Sequence, residues 1–152
     1  MLSMQEMSDR FELQDLVYRY SQIIDAKQFD RLRDDVFTKD AFIDYSAFGG
    51  STGNLEETIE FLHKAMAIFP NTQHLNANVQ IQLDPDDSDK ATGRVMCFNP
   101  QDMKTSDGGS HIFFCGLWYV DEYRRTEPGW RICRRVEEKS YVFNAPEFMK
   151  DL

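Results

Sequence analysis

The hydrophobic period of this chain changes once, at Pro70, and that change limits what it can fold into. Before Pro70, apolar residues recur at helical spacing. After it, they fall at alternate positions. From Ser8 to about Ala26, the residues Leu13, Leu16, Val17, Tyr20 and Ile24 form the stripe of an amphipathic helix, with Ser8 and Asp9 as N-cap candidates. A short second helix is read around Phe29, Leu32 and Val36, then an extended piece over Ala41–Tyr45. Gly49, Gly50 and Gly53 mark a loop. Asn54 and Glu57 have the form of a capping box, opening a third helix with Ile59, Leu62, Met66 and Phe69 on one side. Pro70 stops it.

Beyond that point Leu75, Ala77, Val79, Ile81 and Leu83 alternate with His74, Asn76, Asn78, Gln80 and Gln82, which is strand spacing. The acidic run Asp84–Asp89 reads as a turn. A second strand is expected from Lys90 to Phe98, a loop over Asn99–Ser110, and a third strand from His111 to Arg125. Glu127-Pro128-Gly129 makes a tight turn before a last strand from Trp130 towards Phe143. Helices followed by an antiparallel meander predict an α+β fold. With no repeat or linker, the reading is one domain over 1–152, its core about 7–146. His111–Tyr123 is apolar on both faces, so one face of the sheet is expected to meet the helices and the other a second copy, as a dimer or trimer.

Several function classes drop out. The chain has 17 basic and 26 acidic residues and a net charge of −9, with no basic stripe beyond Arg124–Arg125 and Arg134–Arg135. Nucleic acid is therefore not an expected partner. The longest uncharged apolar stretch, His111–Val120, is about half a membrane span, and no leader is read, so a cytoplasmic protein without membrane contact is expected. Cys97, Cys115 and Cys133 are too dispersed for a disulfide framework or zinc site and read as buried free thiols. An EF-hand beginning at Asp84 would need Gly and Glu where Asp89 and Val95 stand, so no metal is expected there. Phosphate-loop, dinucleotide, zinc-protease and nucleophile-elbow motifs are missing from the sequence.

Histidine is the side chain best suited to proton transfer near neutrality. His63 lies beside an apolar helix stripe and His111 opens a strand; both read as partly exposed. His74 opens the first long strand, directly after Asn71-Thr72-Gln73.

The order of "IDAKQFDRL", "FTKDAFIDY", "NTQHLNANVQI" and "YVDEYRRTEPGWRICRR" resembles the polyketide-cyclase-like (SnoaL-like) branch of the nuclear-transport-factor-2-like superfamily. That group includes scytalone dehydratase, bile-acid 7α-dehydratase and a lindane dehydrochlorinase. The resemblance runs from about Met7 to Pro146 and implies a cone-shaped, mostly antiparallel sheet, with N-terminal helices closing one pocket. It implies that Asp25, ending the first helix, orients His74, which takes a proton from the substrate. Tyr20 and Tyr45 fall where relatives carry active-site tyrosines. Asn99 stands where bile-acid dehydratase has an aspartate, and Lys139 falls near its arginine. His111 lies several residues too early to match the second histidine of scytalone dehydratase.

Phe113, Phe114, Trp118, Tyr119 and Phe143 fall in or near strands, a supply suited to an apolar cavity for a small ring compound. The activity so implied is a cofactor-independent elimination or isomerisation of a small, apolar, oxygenated molecule. A non-catalytic ligand-binding or accessory subunit, or an epoxide-hydrolase-like hydration, stands as the alternative.

The residues set a geometric condition on this reading. On a straight helix Asp25 lies about 130° from the apolar stripe, at ~100° per residue. Unbroken alternation would put His74 with Asn76 and Gln80, opposite the apolar face. The two meet only if the pocket face of that strand is polar or a β-bulge re-aims His74.

Overall fold

The computed structural model describes residues 1–149; residues 150–152, which fall within the expected 1–152 domain, lie outside the described residues. Helix α1 covers Met4–Asp25 and begins a turn earlier than the sequence suggests. Its cap is Ser3, whose hydroxyl accepts from Glu6 N while Glu6 answers to Ser3 N. Ser8 is not the cap. Asp9 is instead buried within the helix, where it accepts from Trp130 Nε1 at 3.1 Å and Arg125 Nη2 at 2.8 Å, tying α1 to the last hairpin. The expected second helix shrinks to a 3-10 turn, Phe29–Arg31, and one α-turn, α2 (Leu32–Asp35). Helix α3 (Leu55–Ala65) has the expected capping box between Asn54 and Glu57.

The strands are β1 (Phe37–Asp44), β2 (Thr52–Asn54), β3 (Asn71–Thr72), β4 (Leu75–Leu83), β5 (Lys90–Lys104), β6 (Ser110–Thr126) and β7 (Gly129–Phe143). They form one sheet in the order β2-β1-β7-β6-β5-β3, with β4 also on β5. The pairings are antiparallel except for β1 on β7. Strand β5 runs six residues past the expected end at Phe98, so Asn99 sits in a strand, opposite Cys115, and not in a loop.

The inward side chains of β5–β7, among them Val95, Phe113, Leu117 and Ile132, are buried with Leu13, Leu16, Val17 and Ile24 of α1. This is the α+β, curled, mostly antiparallel sheet closed by an N-terminal helix that the sequence predicted. Cys97 and Cys115 are buried free thiols as expected, whereas Cys133 is only half-buried. The Asp84–Asp89 run is a turn, with Asp84 accepting from the Asp86 and Asp87 amides. No helix among the described residues is long and apolar enough to cross a membrane.

Candidate active site

Strand β4 carries the local feature on which the site depends. Its pairing with β5 steps from Ala77↔Met96 to Gln80↔Arg94, which leaves one extra residue on β4. Asn78 takes it up with φ 47°, a left-handed conformation that Asn tolerates better than branched residues. A one-residue bulge exchanges the faces of a strand. Beyond it Val79, Ile81 and Leu83 turn towards the core. Before it Asn76 and His74 turn inward, and Leu75 is left 52% exposed. Asn76 Nδ2 donates to Ser21 Oγ of α1 at 2.6 Å, which holds this end of β4 against the helix.

Asp25, the last residue of α1, faces Thr72 and His74 across the start of β4. His74 Nδ1 lies 2.7 Å from Asp25 Oδ1, His74 N donates to Oδ2 at 2.9 Å, and Thr72 Oγ1 donates to Oδ1 at 2.9 Å. The imidazole side chain is 5% exposed and the carboxylate 28%. A carboxylate at a helix C-terminus opposes the helix dipole, so its position is held by these three donors. Burial pushes the Asp25 carboxyl up. The bonds from His74 and Thr72 outweigh that and hold it below the usual carboxylate range. An ionised Asp25 only accepts, so a neutral ring carries its proton on Nδ1 and leaves Nε2 as an acceptor. Asn99 Nδ2, 3.1 Å from Nε2, matches that tautomer as donor. The other end of the amide, Asn99 Oδ1, is buried with no hydrogen-bond partner among the described residues.

His74 and Asn99 border a cavity of about 130 Å³. Tyr20, Tyr45, Tyr119 and Glu137 line its polar side, and Phe48, Phe61, Leu62 and Met66 its apolar side. That volume is close to the ~150 Å³ of an apolar cavity that holds benzene. Tyr45 reaches the site from the end of β1, where the next loop folds back so closely that a Cβ on Gly50 would stand 2.7 Å from Tyr45 Cβ. The Tyr20 and Tyr45 hydroxyls are 2.7 Å apart. One donates to the other, which leaves one O–H free to serve a ligand. Burial pushes Tyr20 up to about 12, so it is a neutral donor.

Beneath Tyr20 lies an ion pair with both side chains 0% exposed: Arg135 Nε and Nη2 donate to Asp121 at 2.8 and 2.7 Å. The guanidinium is 4.1 Å from the centres of both the Tyr20 and Tyr119 rings, so it fixes their faces and sets a positive charge below the phenols. Arg135 and Glu137 share the inner face with Ile132 because β7 has an extra residue at Cys133, shown by the step from Glu122↔Arg134 to Tyr123↔Ile132. Unbroken alternation would separate Ile132 from both, so the sequence reading passed over Arg135 and Glu137 as candidates. The one available signal was an Asp in the otherwise apolar inward row Tyr119, Asp121, Tyr123.

The structure therefore brings together Tyr20, Asp25, Tyr45, His74 and Asn99. Of the other candidates, Tyr119 lines the same cavity, and Phe114, Trp118, Phe143 and Lys139 do not. Phe114, Trp118 and Phe143 point to the opposite face of the sheet, because inward positions on β6 are Phe113, Cys115, Leu117 and Tyr119. There Phe114 packs on Phe98 and stacks on Phe143 at 5.8 Å, and Arg94 covers Trp118 at 3.9 Å. Lys139 is exposed on β7 and does not border the cavity. His63 is 49% exposed beside Asp30, and His111 lies outside the cavity, 2.8 Å from Asn144 O.

An oriented imidazole, two phenols and a neutral amide around a ring-sized space can remove and return protons. The SnoaL-like domain model matches residues 5–136. Rv2910c, an uncharacterised protein of Mycobacterium tuberculosis, is 45% identical over 141 residues, 93% of this chain and 92% of its own. A crystal structure described as a candidate scytalone dehydratase, from Novosphingobium aromaticivorans, aligns with TM-score 0.80 at 18% identity over 93% of this chain and 91% of that one. A type 2 hexachlorocyclohexane dehydrochlorinase aligns with TM-score 0.79 at 18% identity, over 94% and 93%. At such identities these two likenesses carry the fold alone, and proteins on it include dehydratases and dehydrochlorinases. The chain belongs to the SnoaL-like family, on the nuclear-transport-factor-2-like fold.

Proposed function

We propose that this protein is a small-molecule lyase or isomerase of the dehydratase type, in which His74 removes a proton from a carbon next to a carbonyl. The observation that carries the reading is the Asp25–His74 hydrogen bond of 2.7 Å at the wall of a ring-sized cavity. The dehydratase and dehydrochlorinase names among its structural neighbours support the same class.

Asp25 holds the proton of the resting ring on Nδ1 and steadies the imidazolium once Nε2 has taken the substrate proton. Asn99 Nδ2 lies 3.1 Å from Nε2, so the reacting C–H takes the amide's place as it turns aside. The free O–H of the Tyr20–Tyr45 pair donates to the enolate oxygen, and Arg135 below Tyr20 favours the charge that develops there. Collapse of the enolate then expels a group from the next carbon or returns the proton elsewhere.

The first half-reaction can be tested without the natural substrate. Cyclohexanone in D₂O should exchange its α-protons in the presence of the wild-type protein, read by ¹H NMR. His74→Gln should abolish the exchange, and Asp25→Asn should lower it by about 10²- to 10⁴-fold, the range for general base catalysis. No exchange above buffer in the wild type, or undiminished exchange in His74→Gln, refutes the proposal.

A further inference from the structure

Glu137 borders the same cavity as His74 and takes no part in the chemistry above. No hydrogen bond to its carboxyl is made by any described residue, although polar groups stand around it. Glu137 is half-buried, and a carboxyl at a cavity wall without a donor to stabilise its anion stays protonated and becomes a donor itself. Asn99 Oδ1 is the complementary orphan, an acceptor without a donor. A hydroxyl satisfies both at once, because its oxygen accepts from the acid while its proton goes to the amide oxygen. A halide serves neither group as a donor and needs no proton to leave.

We infer that Glu137 is the proton donor to the leaving hydroxyl, at the cavity wall it shares with His74 and Asn99. This rests on the proton-abstraction reading and extends it to the leaving group. His74 Nε2 takes the α-proton, and the C–H electron pair forms the enolate. As the enolate collapses, the new C=C bond forms and the C–O bond breaks. Its electron pair goes to the oxygen, which takes the Glu137 proton and departs as water. The imidazolium of His74 and the carboxylate of Glu137 remain, and a proton passed from one to the other through water restores both. The net change is ketone alcohol to enone plus water.

Burial pushes the Glu137 carboxyl up to about 8, with Arg135 on the same strand opposing the rise and Asp44 of β1 adding to it. From the other elements it is faced by the phenols of Tyr20 (α1), Tyr45 (after β1) and Tyr119 (β6), by Cys97 (β5) and by His74 (β4). The alkaline limb of the elimination should therefore follow Glu137.

The test uses 3-hydroxycyclohexanone in D₂O, following α-exchange and enone formation in the same sample. In the wild type both should occur. In Glu137→Gln the ratio of elimination to exchange should fall by about 10²-fold or more, the ordinary worth of a general acid. An unchanged ratio overturns the inference and leaves proton abstraction standing. So does a wild type that exchanges but never eliminates, or a ratio that falls equally for 3-chlorocyclohexanone. No exchange at all overturns the proposed function, and the inference with it. Should Glu137→Gln fail to fold, ¹³C NMR of the wild type with labelled glutamate decides. One carboxyl titrating near pH 8 supports the donor, and none above the ordinary carboxylate range overturns it.

Discussion

Replacing Glu137 by glutamine keeps the side chain's shape and removes one ionisation, so the pair of proteins isolates the cost of keeping that acid in the cavity. Its ordinary value of 4.5 is raised to about 8 in the folded chain, burial being the largest cause. Between those two values the unfolded chain has lost the proton and the folded chain keeps it. The unfolded state is therefore favoured more with each pH unit, by about 1.36 kcal/mol. The contribution of a protonated Glu137 is fully present below pH 4.5, declines through the window, and is gone above about 8. The 3.5 units between them set a ceiling of about 5 kcal/mol. Urea denaturation of both proteins at pH values from 4 to 9, followed by circular dichroism, gives the difference in unfolding free energy at each pH. The remaining carboxylates titrate in both proteins and cancel. Glu137→Gln should gain steadily on the wild type from acid to alkaline pH and level off near 8. A difference flat to within about 0.5 kcal/mol across that range, the ordinary size of a surface effect, refutes the protonated acid and its role as donor.

Three further outcomes follow from other parts of the fold. Asp121→Asn leaves the Arg135 charge buried without its counterion and should cost about 3–5 kcal/mol in urea denaturation, a loss that an exposed pair does not produce. Asn78→Gly should be nearly neutral, whereas Asn78→Val, forced to a positive φ, should cost about 1–2 kcal/mol and lower the exchange rate through His74. Equal stability of the two variants would mean the bulge does not depend on Asn78. The outer face of the sheet, where Phe143 is 63% and Phe98 38% exposed, is the surface on which the expected dimer or trimer would form. Light scattering should give a multiple of 17.8 kDa for the wild type and a smaller mass for Phe143→Glu; a monomeric wild type rejects it.

The legible part of this chain is the part governed by regular periods. The stripe of α1, the capping box at Asn54 and the alternation along β6 each specify an element whose neighbours follow from the antiparallel meander. The illegible parts are single-residue departures from period. One extra residue at Asn78 turns His74 inward, and one at Cys133 does the same for Arg135 and Glu137. Alternation carried unbroken along the sequence assigns all three to the wrong face. The aromatic candidates were taken for their supply and not their parity: Phe114 and Trp118 share a parity that excludes the cavity, while their neighbours Phe113 and Tyr119 point in. Asn99 was found by resemblance and placed in a loop. Physically it is the next inward residue after Cys97 on a strand that Pro100 does not end.

These departures gather in one place. Lys27 adopts φ 57° just after α1, a position usually given to glycine, and its Nζ is buried without a hydrogen-bond partner among the described residues. Two residues before it, Asp25 stands against the helix dipole. Asn78 is left-handed inside a strand, Asn99 Oδ1 lacks a donor, and Glu137 is an acid in an apolar setting. Each feature is unfavourable to the fold alone, by roughly 0.3–3 kcal/mol at typical values for all but Glu137, whose ceiling is higher. All but Lys27 act directly on the contents or the aim of one cavity, and Lys27 shapes the turn that ends the helix bearing Asp25. Strain focused on one imidazole and its surroundings is consistent with the proposed role of His74. The stability of the scaffold comes from the regular elements, and the chemistry proposed for it rests on the few residues that break their rules.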